Sequence, residues 1–329
     1  MTQKFGPKTT ADEVLAGVDL RNNRILITGV ASGIGLETAR ALAAHGASIV
    51  GAVRDVAKGE AAVGSIREAA AQAGGTLDLL QLDLASLQSV RAAADNLLAD
   101  GRPFDVIIAN AGVMATPFSR TVDGFETQFG TNHLGHFALI TRIAPLLADN
   151  GRLVVLSSTA HRASNVDLDD PNFQHTPYNP WVAYGRSKTA NSLFAVEFDR
   201  LHRDRGVRAF AVMPGDSFTG LPRHLTEKDL QALFESVGKA RADAGLPPAV
   251  LKSVQQAAAT SVWAAAVANK DQIGGRYLEN CAVAPVDDAP GFIDGVASYA
   301  LDAESAVRLW AKSEEMVGAA LVRLPQRSR

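Results

Sequence analysis

Arg24-Ile-Leu-Ile-Thr28-Gly29-Val-Ala-Ser32-Gly33-Ile34-Gly35-Leu-Glu-Thr-Ala39 decides how this chain is read. The first five residues form a short apolar run, which predicts a buried parallel strand. From Leu36 the pattern is helical. Between the two lie three glycines: strand, glycine loop, helix is the context that phosphate binding requires. Gly29 permits a tight turn, Gly33 lets a diphosphate approach the backbone, and Gly35 lets helix and strand pack closely. The helix N-terminus adds unpaired N–H groups and partial positive charge. A ligand-free β–α turn is the plainer alternative.

The pattern repeats outward. Ala47 to Val53 reads as a second strand, Thr76 to Leu82 as a third and Phe104 to Ala109 as a fourth. Arg152 to Leu156 and Val207 to Met213 follow as the fifth and sixth, and Gly275 to Leu278 as a short last one. Helical patterns alternate with them, including a long one from Phe125 to Leu147 and another from Tyr184 to about Arg203. The expected fold is α/β: a single doubly wound parallel sheet, Rossmann-like, of about seven strands. Residues 1–20 read as a lead-in, with Thr10-Ala-Asp-Glu13 as a helix start. Residues 21–280 read as the main domain and 281–329 as a C-terminal extension with one helix near Glu304–Val317. Residues 216–252 interrupt the alternation with two helical pieces, around Glu227–Val237 and Pro248–Ala259. An insertion at a strand's C-terminal end is placed to act as a small helical lid.

Composition narrows the function. Of 329 residues 47% are hydrophobic, which supplies a substantial core. The net charge of −3 gives no basic excess, so nucleic acid is not expected as a partner. The single cysteine, Cys281, excludes an internal disulfide and a cysteine-cluster metal site, and fits a reducing compartment. The first residues lack the apolar run of a signal peptide, and no stretch has the length of a membrane span. A cytoplasmic location is the expectation.

Ligands of such sheets sit beyond the carboxyl ends of the strands. Arg54 ends the second strand, where an acid would hold a ribose 2′-OH and an arginine accommodates a 2′-phosphate. This favours NADP(H), with NAD(H) as the alternative; Asp55 beside the arginine complicates its electrostatics. Asp83-Leu84 ends the third strand, where an acid suits an adenine amine, and Asn110-Ala111-Gly112 is the turn after the fourth.

Tyr184-Gly-Arg-Ser-Lys188 puts a phenol and an ammonium one helical turn apart. A free phenol has a pKa of about 10. A neighbouring cation favours the phenolate and lowers that value, which makes the pair a proton donor or acceptor for a substrate oxygen. On its own such a pair arises often by chance on helix surfaces.

Taken in order, these motifs resemble the short-chain dehydrogenase/reductase family. They are Thr-Gly-x-x-x-Gly-Ile-Gly (28–35), Asp83-Leu84, Asn-Ala-Gly (110–112), Asn132, Ser158, Tyr-x-x-x-Lys (184–188) and Pro214-Gly215. The resemblance covers roughly residues 20–280. The stretch Asp123 to Phe137, Arg223-His-Leu and the Arg54 ending are similar to the retinol-dehydrogenase-like and WW-domain-oxidoreductase-like branch, though no WW domain is visible. The resemblance implies an NAD(P)-dependent oxidoreductase acting on a carbonyl or secondary alcohol, often as a homodimer or homotetramer. It implies Tyr184 as the acid/base, with Lys188 bonding the nicotinamide ribose and lowering the phenol's pKa. Ser158, chosen over Ser157 by its spacing to Tyr184, would hold the substrate oxygen. Asn132 would distort its helix and hold a water relaying protons from Lys188, and Thr219 would contact the carboxamide. Gly29, Ser32, Gly33, Ile34 and Gly35 would cradle the dinucleotide. Two departures stand out: Asp216-Ser217 where the branch has Gly-Ile, and Val30-Ala31 in the loop. Ser32 also occupies a place where some NADP-preferring relatives carry lysine or arginine.

Other readings remain at this stage: a catalytically silent NADP(H)-sensing regulator, and an epimerase or dehydratase on nucleotide sugars. His161 is a candidate for the substrate site or a structural residue. His133 and His136 have no apparent third ligand, so no metal is expected. Phe173, Tyr178, Trp181 and Phe218 are candidates for an apolar substrate wall or for core.

Overall fold

The computed structural model describes residues 5–215, 226–249 and 251–318. Its strands are β1 (Arg24–Thr28), β2 (Ser48–Val53), β3 (Thr76–Gln81), β4 (Phe104–Ala109), β5 (Leu147–Leu156), β6 (Arg208–Met213), β7 (Tyr277–Glu279) and β8 (Ala282–Val283). They form one sheet in the order β3-β2-β1-β4-β5-β6-β7-β8. The first seven pair in parallel. The eighth pairs antiparallel with β7, so the sheet is mostly rather than wholly parallel. Asn280 and Cys281 join those two strands with φ of 53° and 58°. Positive φ at both central residues gives a two-residue hairpin the twist of its strands. Asn280 favours that conformation; a cysteine gives no warning of it.

The helices are α1 (Ala11–Leu15), α2 (Gly33–Ala44), α3 (Val56–Ala73), α4 (Leu87–Asp100), α5 (Thr127–Phe129), α6 (Gly135–Ile143), α7 (Pro180–His202), α8 (Glu227–Asp243), α9 (Val254–Ala266), α10 (Lys270–Ile273) and α11 (Ala303–Val317). α1, α2, α3 and α9 cover one face of the sheet and α4, α6, α7 and α11 the other. Alternating strands and helices force this two-sided winding, because a parallel crossover has to pass over a face. The helix start at Thr10 is a reciprocal capping box with Glu13.

Three expectations need correction. The long helix from Phe125 to Leu147 is broken: Gly130–Leu134 is a π turn, Ala144–Leu146 is a 3₁₀ turn, and Leu147 already belongs to β5. Pro145 has no N–H to continue the helix. The first piece of the insertion, α8, runs on to Asp243. The second starts later than expected, at Val254, where Ser253 and Gln256 make a capping box. Its buried Ala258, Val262 and Ala265 lie in the layer against α1 and α2, so α9 is a sheet-covering helix.

Residues beyond 280 contribute to the same core as the central helices. In α11, Leu309 is buried and Trp310 stacks on Phe194 of α7 at 5.8 Å and meets Phe137 of α6 edge-on at 5.0 Å. Phe194 also touches Phe137 at 5.6 Å and Phe198 at 5.8 Å, both edge-on. Truncating a buried aromatic of this kind costs about 3–5 kcal/mol. Phe194→Ala should therefore lower the unfolding free energy by about that amount in urea titrations. A loss below about 1 kcal/mol would mean that α11 and α7 are not packed as described.

Candidate active site

The carboxyl ends of β1, β2, β4, β5 and β6 open into a groove of about 300 Å³. It is lined from one end by Arg54, Asp83 and Leu84, along its floor by Gly29, Ser32 to Gly35 and Asn110 to Gly112, and at the other end by Tyr184, Lys188 and Pro214. Most of the residues picked out in the sequence thus meet in one cleft. Asn132, Ser158 and Gly215 are not part of its lining, and Thr219 and Phe218 lie outside the described residues.

The glycine loop has the shape of a cradle. Gly29 has φ of 81°, in the left-handed region. A Cβ on Gly35 would collide with Asn110 Nδ2 and the Gly29 carbonyl, so only glycine lets α2 sit this close to the strand ends. Ser32 is the N-cap of α2 but its side chain makes no capping bond. The first N–H groups of that helix are left for an anion. The second-strand edge is also open to anions. Arg54 is exposed and makes no ion pair among the described residues. Asp55, its neighbour, caps α3 instead, accepting the Lys58 N–H at 3.1 Å.

Thr28 ties the floor together. Its Oγ1 accepts the N–H of Asn110 and of Ala111, each at 3.0 Å. Its own proton then goes to His136 Nε2 at 2.8 Å. That fixes the His136 proton on Nδ1, from which it is donated to the Asn132 carbonyl at 2.9 Å. Asn110 Nδ2 donates back to the Thr28 carbonyl at 2.8 Å. Sequence reasoning assigned Thr28 and His136 no role; the small polar residue ending a buried strand was the available signal.

Asn132 sits in the π turn, fully buried. Its Oδ1 accepts the Val113 N–H at 2.8 Å, and its Nδ2 donates to the Val113 carbonyl and Ser187 Oγ, both at 2.9 Å. The helix distortion expected at this residue is present, and its side chain binds α7 rather than Lys188 directly.

α7 starts at Pro180, capped by Asn179. It points Tyr184 and Lys188 into the groove, and the Lys188 Nζ lies 5.6 Å from the Tyr184 ring centre. Lys188 is 5% exposed and donates to the Leu156 carbonyl at 3.1 Å. Burial pushes its ammonium down to about 8. The two serines after β5 differ. Ser157 is committed: it donates to the Lys188 carbonyl at 2.8 Å and accepts from Ser192 at 3.0 Å. Ser158 Oγ accepts only the Ala160 N–H, at 3.2 Å, so its proton is uncommitted among the described residues.

The histidines are structural in placement. His161 lies behind Ser158, wholly buried, and burial pushes its imidazole down to about 4. His133 bonds Ser313 of α11 at 2.8 Å, away from His136. Among the described residues no three His, Cys, Asp or Glu side chains come together as a metal site. Tyr178, half-buried, gives its hydroxyl to the Thr116 carbonyl at 2.9 Å and packs on the buried Phe173 at 5.1 Å, so both serve the packing of their loop. Trp181 stays beside Tyr184, ring centres 6.4 Å apart. Among the described residues no helix is long and apolar enough to cross a membrane.

Comparison with known proteins agrees with this geometry. A family model described as short chain dehydrogenase matches residues 23–230. A probable oxidoreductase of Streptomyces lividans is 42% identical over 89% of this chain and 97% of its own. The human WW domain-containing oxidoreductase is 36% identical over 96% of this chain and 73% of its own. The crystal structure of an uncharacterised protein from Mycobacterium Paratuberculosis superposes with a TM-score of 0.69 at 35% identity, covering 94% of this chain and 97% of that one.

The buried ammonium of Lys188 has a consequence for stability. Its folded pKa lies below the ordinary lysine value of about 10.5. The destabilisation is complete below about pH 8 and is relieved as pH rises towards 10.5. Lys188→Met should therefore raise the unfolding free energy at pH 7 by about 1–3 kcal/mol. The gain should shrink between about pH 8 and 10.5 in denaturant titrations. A variant less stable than the parent at pH 7 would contradict this.

Proposed function

Because this chain belongs to the short-chain dehydrogenase/reductase family of NAD(P)-dependent oxidoreductases, we propose that it transfers a hydride between NADP(H) and a carbonyl or secondary alcohol, with Tyr184 as acid/base. The observation that carries this reading is a phenol and a buried ammonium on one face of α7, at the inner end of a groove that begins at a glycine cradle. The residues present fit the dinucleotide, since a Cβ at Gly35 would close the cradle and the α2 N-terminus is uncapped.

Gly29, Ser32, Gly33, Ile34 and Gly35 hold the diphosphate, and Arg54 takes the 2′-phosphate. Asp83 and Leu84 border the adenine. Asn110, Ala111 and Gly112 would border the middle of the molecule, and Pro214 and Gly215 the nicotinamide. Bound there, the nicotinamide supplies or accepts the hydride.

In reduction, Tyr184 donates its hydroxyl proton to the substrate oxygen as the carbonyl carbon is reduced; in oxidation it takes that proton back. Lys188 bonds the ribose and favours the phenolate through its charge. Ser158 donates its uncommitted proton to the substrate oxygen and orients it. Asn132 locks the π turn to Val113 and Ser187. A Cβ at Gly112 would lie 3.1 Å from Asn132 Oδ1 and 3.8 Å from Lys188 Nζ, so the glycine leaves room for a relaying water between them. With this reading go a cytoplasmic location, a small-molecule partner and a homo-oligomeric state.

Tyr184→Phe should leave equilibrium NADPH binding intact and cut turnover on a panel of ketones and alcohols about 10²–10⁴-fold. Unchanged turnover would remove Tyr184 from the mechanism. Tight NADPH binding by the parent chain with no turnover on that panel would favour the silent sensor instead. Arg54→Ala should weaken NADPH about tenfold or more and NADH by less than about twofold. Equal losses would mean that Arg54 does not touch a 2′-phosphate.

A further inference from the structure

The 3₁₀ turn Thr159–Ala163 follows Ser158 directly and is gripped from the far end of the chain. The Ala297 N–H donates to His161 Nε2 at 3.0 Å, 136 residues away in sequence. That leaves the His161 proton on Nδ1, which donates to the Ser158 carbonyl at 2.8 Å. Tyr299 donates its hydroxyl to the His161 carbonyl at 2.6 Å. Thr189 of α7, one residue past Lys188, donates to the Ser164 carbonyl at 2.8 Å, with the His161 carbonyl 3.2 Å away. Tyr277 of β7 lies against the imidazole, ring centres 4.9 Å apart. The next residue, Arg162, donates to the carbonyls of Asp287, Ala289 and Gly291.

These bonds form one clamp. Segment 287–299 holds the turn through His161 and Arg162, and His161 holds the backbone of Ser158. The same segment is tied to α8, where Arg241 pairs with Asp294 at 2.6 Å. His161 is wholly buried and both of its ring nitrogens are bonded, to the Ala297 N–H and the Ser158 carbonyl, so its bonds are not those of a group that meets substrate. A serine that must present its hydroxyl to a substrate oxygen has to be held to within a fraction of an ångström, and a misplacement of about 1 Å can cost about 10²-fold in rate.

We propose that His161 is a positioning residue for Ser158, and that the C-terminal segment around Ala297 and Tyr299 is through it a working part of the active site. The proposal rests on the reading of Ser158 as the residue that orients the substrate oxygen. A neutral imidazole is suited to the task because it donates to Ser158 on one side and accepts from Ala297 on the other, which phenylalanine of similar size does neither.

The test uses the full-length chain, NADPH and 9,10-phenanthrenequinone as carbonyl probe, with Ser158→Ala, His161→Phe, Tyr299→Phe and the Ser158→Ala/His161→Phe pair. His161→Phe should lower kcat about 10–100-fold with the NADPH dissociation constant unchanged within about twofold. Tyr299→Phe should do the same more weakly. The double variant should be no slower than Ser158→Ala alone, because the histidine acts only through the serine. Independent, multiplying losses would overturn the proposal. Hydrogen exchange, which needs no turnover, separates the two readings. His161→Phe should speed exchange in residues 157–164 and 296–300 together and leave α6 unchanged. Unchanged exchange in both segments would overturn the clamp. A Ser158→Ala variant as fast as the parent, with the exchange result as expected, would instead overturn the role of Ser158.

Discussion

One hydroxyl, Thr28 Oγ1, holds the site at a single point. It receives the N–H groups of Asn110 and Ala111 and gives its own proton to His136, which in turn holds the Asn132 carbonyl. The glycine loop after β1, the turn after β4 and the π turn before α6 are thereby fixed to one another. The two bonds of His136 are buried and the two from Asn110 and Ala111 are half-buried; away from water an unmade partner costs the desolvation of the group left behind. Shifting any of the three segments would orphan at least one of them. The cradle and the floor of the cleft therefore move as one body. α7 joins them through Asn132 and Ser187, and β5 joins α7 through Ser157 and the Lys188 carbonyl.

Against this rigid floor the chain keeps one unfavourable charge. Lys188 is buried with its ammonium desolvated, and among the described residues the acceptor of its hydrogen bond is the Leu156 backbone carbonyl. Nothing in the packing of α7 requires a cation there; the Leu156 carbonyl already receives the Asn191 side chain at 2.9 Å. A charge held at a cost in stability, beside a phenol and at the end of a phosphate cradle, is the arrangement expected where a proton has to move near neutral pH. The histidines are the converse. Burial pushes His133 down to about 3 and His136 to about 4, so both stay neutral and serve as directional donors and acceptors. The imidazole behind Ser158 belongs with them.

Much of the sheet could be read from residues alone, for definite reasons. β1 and β4 have the expected bounds because each carries a short apolar run, Ile25–Ile27 and Val106–Ala109, stopped by the turn that begins at Gly29 or Asn110. The groove residues from Gly29 to Lys188 were legible because topology puts strand ends together without any knowledge of contacts. What escaped was set by packing. The break in Phe125–Leu147 at Asn132 came only from the family resemblance, because the bond from Val113, a partner 19 residues away, shows in no local pattern. The α9 helix joins the sheet layer because its alanines let it lie close to α1 and α2, and alanine-rich sequence looks the same in a lid. The eighth strand rests on a cysteine at positive φ. The link from His161 to Ala297 spans 136 residues and has no periodicity to betray it.

The most direct test of the whole account is a crystal structure of the chain with NADP⁺. The diphosphate should lie on the N–H groups at the start of α2, the 2′-phosphate against Arg54, and the nicotinamide beside Tyr184 with its ribose on Lys188. A dinucleotide bound elsewhere, or one whose nicotinamide lies at the Arg54 end of the groove, would contradict it.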